Sequence, residues 1–349
     1  MRLGIAVQER ISGADSLELT PLLNSLAMVL RATNQLGEAE QLYRRAIMIS
    51  ESRLGKERVD LTAPYSNLAD LLRDTNRLDE AESLIRAALA IEDALPGPTH
   101  PRVAAVLNNL ATLFELSGRR AEAEPLVRRA LSISESHYGA NHPDVAVALN
   151  NLATLLFRSN RPTEAEPLFR RALEFNERVL GPDHPSITNL HLNFAELLRK
   201  TNRVDEAEAC IRRAVAINEK HYGVDHPEVA RALNAQAGCL SAANRFSEAE
   251  AAYRRSLSIA ESNFGSFHPH VADVSSGLAF LLYQQRRVDE CLQLLRRNIV
   301  ILAKFSNSVG NEHPDLNRAI NAYGGVMETA GRSRAEIMES IRCALSEGS

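Results

Sequence analysis

The chain repeats itself with a period of 42 residues, and that period constrains the fold before any other property. His-Pro recurs at His100-Pro101, His142-Pro143, His184-Pro185, His226-Pro227 and His268-Pro269, each 42 residues after the last, and a sixth pair, His313-Pro314, follows after 45. In the same register an alanine returns at Ala27, Ala69, Ala111, Ala153, Ala195, Ala237 and Ala279. A second small residue stands twelve later at Ala39, Ala81, Ala123, Ala165, Ala207, Ala249 and Cys291. Strict repeats of this length mark arrays whose units bury their apolar faces only against neighbours.

Each unit spells two helices. Pro143 can open a helix because its missing N–H is not needed in the first turn, and Val145, Leu149, Leu152, Leu155 and Leu156 form a helical stripe that Arg158 to Pro162 breaks. Thr163 with Glu166 has the capping-box pattern, repeated as Asp79/Glu82, Asp205/Glu208 and Ser247/Glu250. The second helix is expected to run through Phe169, Ala172 and Phe175 to about Leu180, where Gly181-Pro182 stops it. Small Ala153 and Ala165 let the paired helices approach closely. With no Trp and only 5% aromatics, the core must come from Leu, Ala, Ile and Val, which suits an all-α solenoid.

Ala-x-x-x-Phe-x-x-Ala in the second helix (Ala165, Phe169, Ala172) and the small alanine of the first resemble the tetratricopeptide repeat. The ordinary unit is about 34 residues. The 42-residue form, with Leu149-Asn-Asn-Leu-Ala153, Glu164-Ala-Glu-Pro-Leu-Phe-Arg-Arg-Ala-Leu173 and Leu180-Gly-Pro-Asp-His-Pro185, looks like the kinesin-light-chain type and covers about residues 20 to 305. The resemblance implies a right-handed α-α superhelix of about seven repeats, with first helices lining a concave groove. No coiled-coil heptad region accompanies it, so a motor-adaptor role is not implied. We read residues 1–349 as a single solenoid: a partial repeat helix at 1–13, seven repeats over 20–305 and a degenerate capping hairpin at 314–347. The partial start suggests an apolar edge at Leu3, Ile5 and Val7 that would self-associate, or a chain cut from a longer array.

Forty basic against forty-four acidic side chains give a net charge of −4, which offers no general attraction to nucleic acid or anionic membranes. No apolar run approaches the roughly 18 residues of a membrane span, and Leu3 to Val7 is too short for a signal-peptide core. A cytoplasmic location is the default expectation. Cys210, Cys239, Cys291 and Cys343 form no CxxC pair and read as reduced core residues. The His-Pro histidines lie one repeat apart, too far to share a metal, and read as turn residues that cap the next helix. No phosphate loop, HExxH or GxSxG signature appears, so no catalytic residue, metal or cofactor is expected. The Arg pairs from Arg44-Arg45 to Arg296-Arg297 could make a basic stripe, but Glu40, Glu124, Glu166, Glu208 and Glu250 stand four residues before an Arg, in helical ion-pair register.

Variation concentrates on the first helices, at positions six and three before the register alanine and one, four and five after it. Asn24, Asn108, Asn150 and Asn234 share one of these positions. Asn is a poor helix former, and its amide can both donate to and accept from a peptide backbone. In proteins of the resembled family such Asn clamp the ligand; the competing reading pairs them with the adjacent first helix. Neighbouring Asn67, Asn109, Asn151 and Asn193 read as inter-repeat structure. Arg31 and Arg73 are offset by Asp70, Asp74 and Glu115, whereas Arg158, Arg199, Lys200 and Arg231 oppose Glu196 alone, which would suit an acidic peptide at the centre. Phe157, Phe280 and Tyr283 are candidate apolar anchors. The sequence therefore predicts a non-enzymatic scaffold that binds a protein or peptide partner in its groove. The alternative is a regulatory or sensor module of a larger signalling protein whose effector domain lies outside this chain.

Overall fold

A computed structural model of the chain describes residues 1–33, 35–55, 59–94, 97–140 and 142–348. Among them are seventeen α-helices and no strand. The chain divides into two compact units, Met1–Leu168 and Phe169–Ser349. The first holds α1 (Arg2–Ser12), α2 (Leu19–Ala32), α3 (Leu36–Leu54), α4 (Thr62–Asp74), α5 (Leu78–Ala94), α6 (Pro101–Leu116), α7 (Arg120–Tyr138) and α8 (Pro143–Arg158), and the boundary falls within α9 (Pro162–Leu180). The second holds α10 (Thr188–Lys200), α11 (Val204–Tyr222), α12 (Pro227–Ala242), α13 (Phe246–Phe264), α14 (Pro269–Gln284), α15 (Val288–Val309), α16 (Leu316–Thr329) and α17 (Arg334–Glu347).

The hairpin of α6 and α7 shows how the repeat is built. His100 sits at the N-cap with extended backbone, its Nδ1 accepting the Arg102 N–H, and Pro101 follows at the first helical position. Val103, Ala104 and Leu107 of α6 then pack with Ala130 and Ile133 of α7. Ala111 and Ala123 are fully or almost fully buried, as the pairing of small residues requires. The same histidine cap recurs at His142, His226 and His268, at His184 before a 3-10 turn, and at His313 through the Asp315 N–H. Tyr138, Tyr222 and Phe264 at the ends of second helices stack on His142, His226 and His268 at 4.0, 4.6 and 4.7 Å. Each imidazole is thus held as both cap and packing surface.

The expected capping boxes do not form at α11 and α13. These helices begin at Val204 and Phe246, after Arg203 and Arg245 with no side-chain cap, so Asp205 and Ser247 already lie inside the first turn. The chain reverses earlier, at a left-handed residue: Asn76, Asn160, Asn202, Asn244 and Arg286 have φ between 58° and 63°, and Gly118 has 75° in the same register. Asn tolerates that conformation and Gly has no Cβ to oppose it. The next residue is an arginine that joins repeats. Arg119 bonds Glu82 of the preceding unit at 2.8 Å and Glu122 at 2.7 Å. Arg77, Arg161, Arg245 and Arg287 repeat this with Glu40, Glu124, Glu208 and Glu250 behind and Glu80, Glu164, Glu248 and Glu290 ahead. Hydrogen bonds from these arginines hold Glu80, Glu122, Glu164, Glu248 and Glu290 below the usual carboxylate range. The expected i,i+4 pairs also form at Glu40–Arg44, Glu124–Arg128 and Glu250–Arg254, with Glu208–Arg212 longer at 3.9 Å.

In the second unit one apolar core runs from Ala237 to Ala344, with α16 and α17 closing against α15. A capping box that the sequence reading did not single out, Ser333 with Glu336, opens α17. Of the cysteines only Cys239 and Cys291 are buried core; Cys210 is half-buried and Cys343 exposed. In α1, Ile5 is buried, while Leu3, Val7 and Ile11 are exposed at 80%, 48% and 74%.

Candidate recognition surface

Within the first unit α2, α4, α6 and α8 touch in succession, as do α10, α12 and α14 in the second. First helices therefore form a continuous layer within each unit, and the variable positions at one helical face lie along it. Side chains bridge neighbouring first helices about 43 residues apart: Arg31 reaches Asp74 at 2.7 Å, Arg158 reaches Glu115 at 3.0 Å and Ser241 reaches Gln284 at 3.0 Å.

These bridges change the electrostatics expected of the surface. Arg31 also faces Asp70 at 3.8 Å, and Arg73 pairs with Asp70 and Asp74 at 2.9 and 3.5 Å. Arg199 holds Glu196 at 2.8 Å, and Arg231 binds Glu228 and Asn189. Of the four central cations read from the sequence, Arg158, Arg199 and Arg231 are thus each matched by a carboxylate, and Lys200 alone is exposed without a partner among the described residues. Of these pairs only Arg158–Glu115 spans a whole repeat, which local spacing does not show; Arg199–Glu196 and Arg231–Glu228 are i,i+3 pairs within one helix.

The clamp-register asparagines are half-buried. Asn24 and Asn108 each tuck Oδ1 inward, where it meets no hydrogen-bond donor of the chain. Asn150 makes contacts of its own, and Asn234 lies half-buried on α12. Asn108 stands in the wall of a cavity of about 300 Å³ between α6 and α8, together with Arg102, Tyr138, Asp144 and Val147. A second cavity, of about 430 Å³, lies between α14 and α16 over a floor from α15. It brings together Asp273, Ser276, Phe280 and Tyr283, four of the five positions of α14 that the register picks out. Phe280 is 61% exposed. Phe157 is half-buried and lines neither cavity.

Sequence reasoning missed two buried ionisable groups. Glu92 in α5 is fully buried, its nearest cation being Arg102 at 3.4 Å in the first cavity wall. His191 in α10 is 5% exposed with neither ring nitrogen hydrogen-bonded to the chain, and burial pushes its pKa down to about 4. Register could have exposed it: four of the six equivalent positions hold Leu23, Leu107, Leu149 and Leu233, the other two Tyr65 and Ser275.

Stacked helical hairpins presenting a continuous layer of first helices define a repeat scaffold for protein–protein interaction. The Tetratricopeptide repeat profile matches residues 22–60, 60–136, 119–178, 144–220 and 186–262, and the chain belongs to that family. BtubC (BKLC) from P. vanneervenii is similar in structure at 26% identity, over 66% of this chain and 91% of that one, with a TM-score of 0.51. Aspartyl phosphate phosphatase F from Bacillus subtilis shares the fold at 14% identity, over 80% of this chain and 69% of that one, with a TM-score of 0.60. A search of the curated proteins returns no match. No described helix is long and apolar enough to cross a membrane.

Proposed function

We propose that the chain is a non-enzymatic scaffold whose first-helix layer binds an extended peptide segment of a partner protein. The observation that carries this is the pair of unpartnered amide oxygens at Asn24 and Asn108, the latter in a cavity wall. Turning such an amide outward to accept a peptide N–H breaks no hydrogen bond of the free protein, so the clamp costs little to engage. A largely preformed surface leaves most of the ordering cost on the peptide. Lys200, the one unpaired central cation, supports an acidic residue of the peptide beside α10. The exposed Leu3, Val7 and Ile11 of α1 support a second contact, self-association along that helix.

The test is a selection from a displayed random-peptide library on the full chain, followed by titration of the selected peptides. Asn108→Ala should weaken binding several-fold for peptides of any net charge, with the melting temperature unchanged. Lys200→Glu should weaken only peptides carrying Asp or Glu. Selected peptides indifferent to every first-helix substitution would remove the reading.

A further inference from the structure

We propose that the cavity between α14 and α16 receives a cationic side chain of the partner peptide, an arginine or lysine whose aliphatic stem lies on Phe280. The proposal rests on the peptide-surface reading above and adds the chemistry of one of its subsites.

Two of the polar groups that α14 offers to this cavity, Ser276 and Asp273, can only accept hydrogen bonds. Ser276 spends its hydroxyl proton on the Ala272 carbonyl at 2.7 Å, and its oxygen accepts from Nδ2 of Asn298 at 2.9 Å. Asn298 is 1% exposed, and its Oδ1 is bound in turn by the Ser275 hydroxyl. Asn298 stands where five of the six other repeats carry Ala46, Ala88, Ala130, Ala172 and Ala214 and the sixth carries Ser256, so a larger polar side chain has replaced a small residue under the cavity wall. The remaining lone pair of Ser276 is left for a donor. One helical turn towards the N-terminus, the Asp273 carboxylate has no partner among the described residues.

Across the cavity Arg318 is already matched by Asp315 at 3.3 Å, so the lining carries two carboxylates and one guanidinium. That balance favours a cation. One turn further along α14 stands the exposed ring of Phe280, with Tyr283 beyond it on the same face. An aromatic face next to a carboxylate accommodates an apolar stem with a charged head, with cation–π attraction added. A neutral apolar side chain would leave the two acceptors without donors, and an anionic one would meet Asp273 directly.

The test titrates the full chain with three blocked tripeptides, Ac-Ala-Arg-Ala-NH2, its citrulline analogue and its Glu analogue, read by saturation-transfer NMR. Citrulline keeps the shape of arginine and removes the charge. The arginine peptide should bind, and both citrulline and Asp273→Asn should weaken it about fivefold or more. Phe280→Ala should weaken both the arginine and citrulline peptides, because it removes the stem contact, and the arginine peptide more, because it also removes the cation–π attraction. Asp289→Asn, an equal charge change in the exposed first turn of α15, should leave binding intact. Equal binding of arginine and citrulline, tighter binding of the Glu peptide, or no effect of Asp273→Asn would overturn the proposal. Because these peptides report on α14 and the Asn108 titration reports on α6, failure of the subsite and failure of the peptide-surface reading give different results.

Discussion

At His191 the protein keeps an imidazole where four equivalent repeats keep leucine, and the consequence is a dependence of stability on pH. Its folded pKa of about 4 lies below the ordinary value of 6.5, with desolvation the largest cause and the charge of Arg213 second. The neutral ring is the form the fold accepts. This stability is therefore complete above pH 6.5 and is lost progressively as pH falls towards 4, amounting to as much as ~3 kcal/mol over that span. His191→Leu should raise the urea midpoint at pH 7, since an unpaired buried polar group costs about 1–3 kcal/mol, and should reduce the loss between pH 7 and pH 5. A variant with the wild-type pH profile would contradict the assignment. His268, also held to about 4 by burial, acts in the same direction, because protonating its Nδ1 would cancel the cap on α14. Arg286 is the second residue out of pattern. It holds a left-handed backbone that Asn76, Gly118, Asn160, Asn202 and Asn244 fill in other repeats, so Arg286→Gly should stabilise by about 0.5–1 kcal/mol in denaturant melts. Neither feature follows from local pattern. Both become visible only when equivalent residues of successive repeats are superposed.

Between elements, the close approach of helices is set by small residues, and the fit is tightest in the second unit. A Cβ added at Gly277 of α14 would stand 2.5 Å from the Tyr253 ring of α13. Gly277→Ala should destabilise by about 1–3 kcal/mol through overpacking, and Tyr253→Leu in the same chain should recover much of it. An unchanged unfolding midpoint in the single variant would show that the ring can move aside. The helix pairs themselves were legible in the sequence, because apolar spacing, His-Pro starts and glycine stops are local signals. The ends of α10, α11 and α13 were not. A 3-10 turn takes Pro185–Ile187 before α10 begins, and left-handed asparagines start the second helices earlier than the capping-box pattern suggested. The arginines at 77, 119, 161, 203, 245 and 287 are strictly periodic, so their linking role could have been read from register. Attention to Arg-Arg pairs hid it.

For the whole molecule, the first-helix layer was legible in the sequence and the pairing of its charges was not. The variable positions do fall on a continuous first-helix layer in each unit, and α14 contributes four of them to one cavity. Arg158, Arg199 and Arg231 were counted as available cations, but Arg158 meets Glu115 of the preceding repeat, and Arg199 and Arg231 meet Glu196 and Glu228 three residues before them on their own helices. If α1 mediates self-association, Leu3→Glu with Ile11→Glu should shift the concentration dependence of mass, measured by sedimentation, towards the monomer. The central claim is that binding belongs to the first-helix layer and not to the arginine-bearing second helices. The most direct measurement is titration of one library-selected peptide against two full-length variants, Asn108→Ala on α6 and Arg212→Glu on α11, where Arg212 is 64% exposed. Several-fold weaker binding to the first with unchanged binding to the second is the outcome this account predicts; loss of binding in Arg212→Glu with full retention in Asn108→Ala would contradict it.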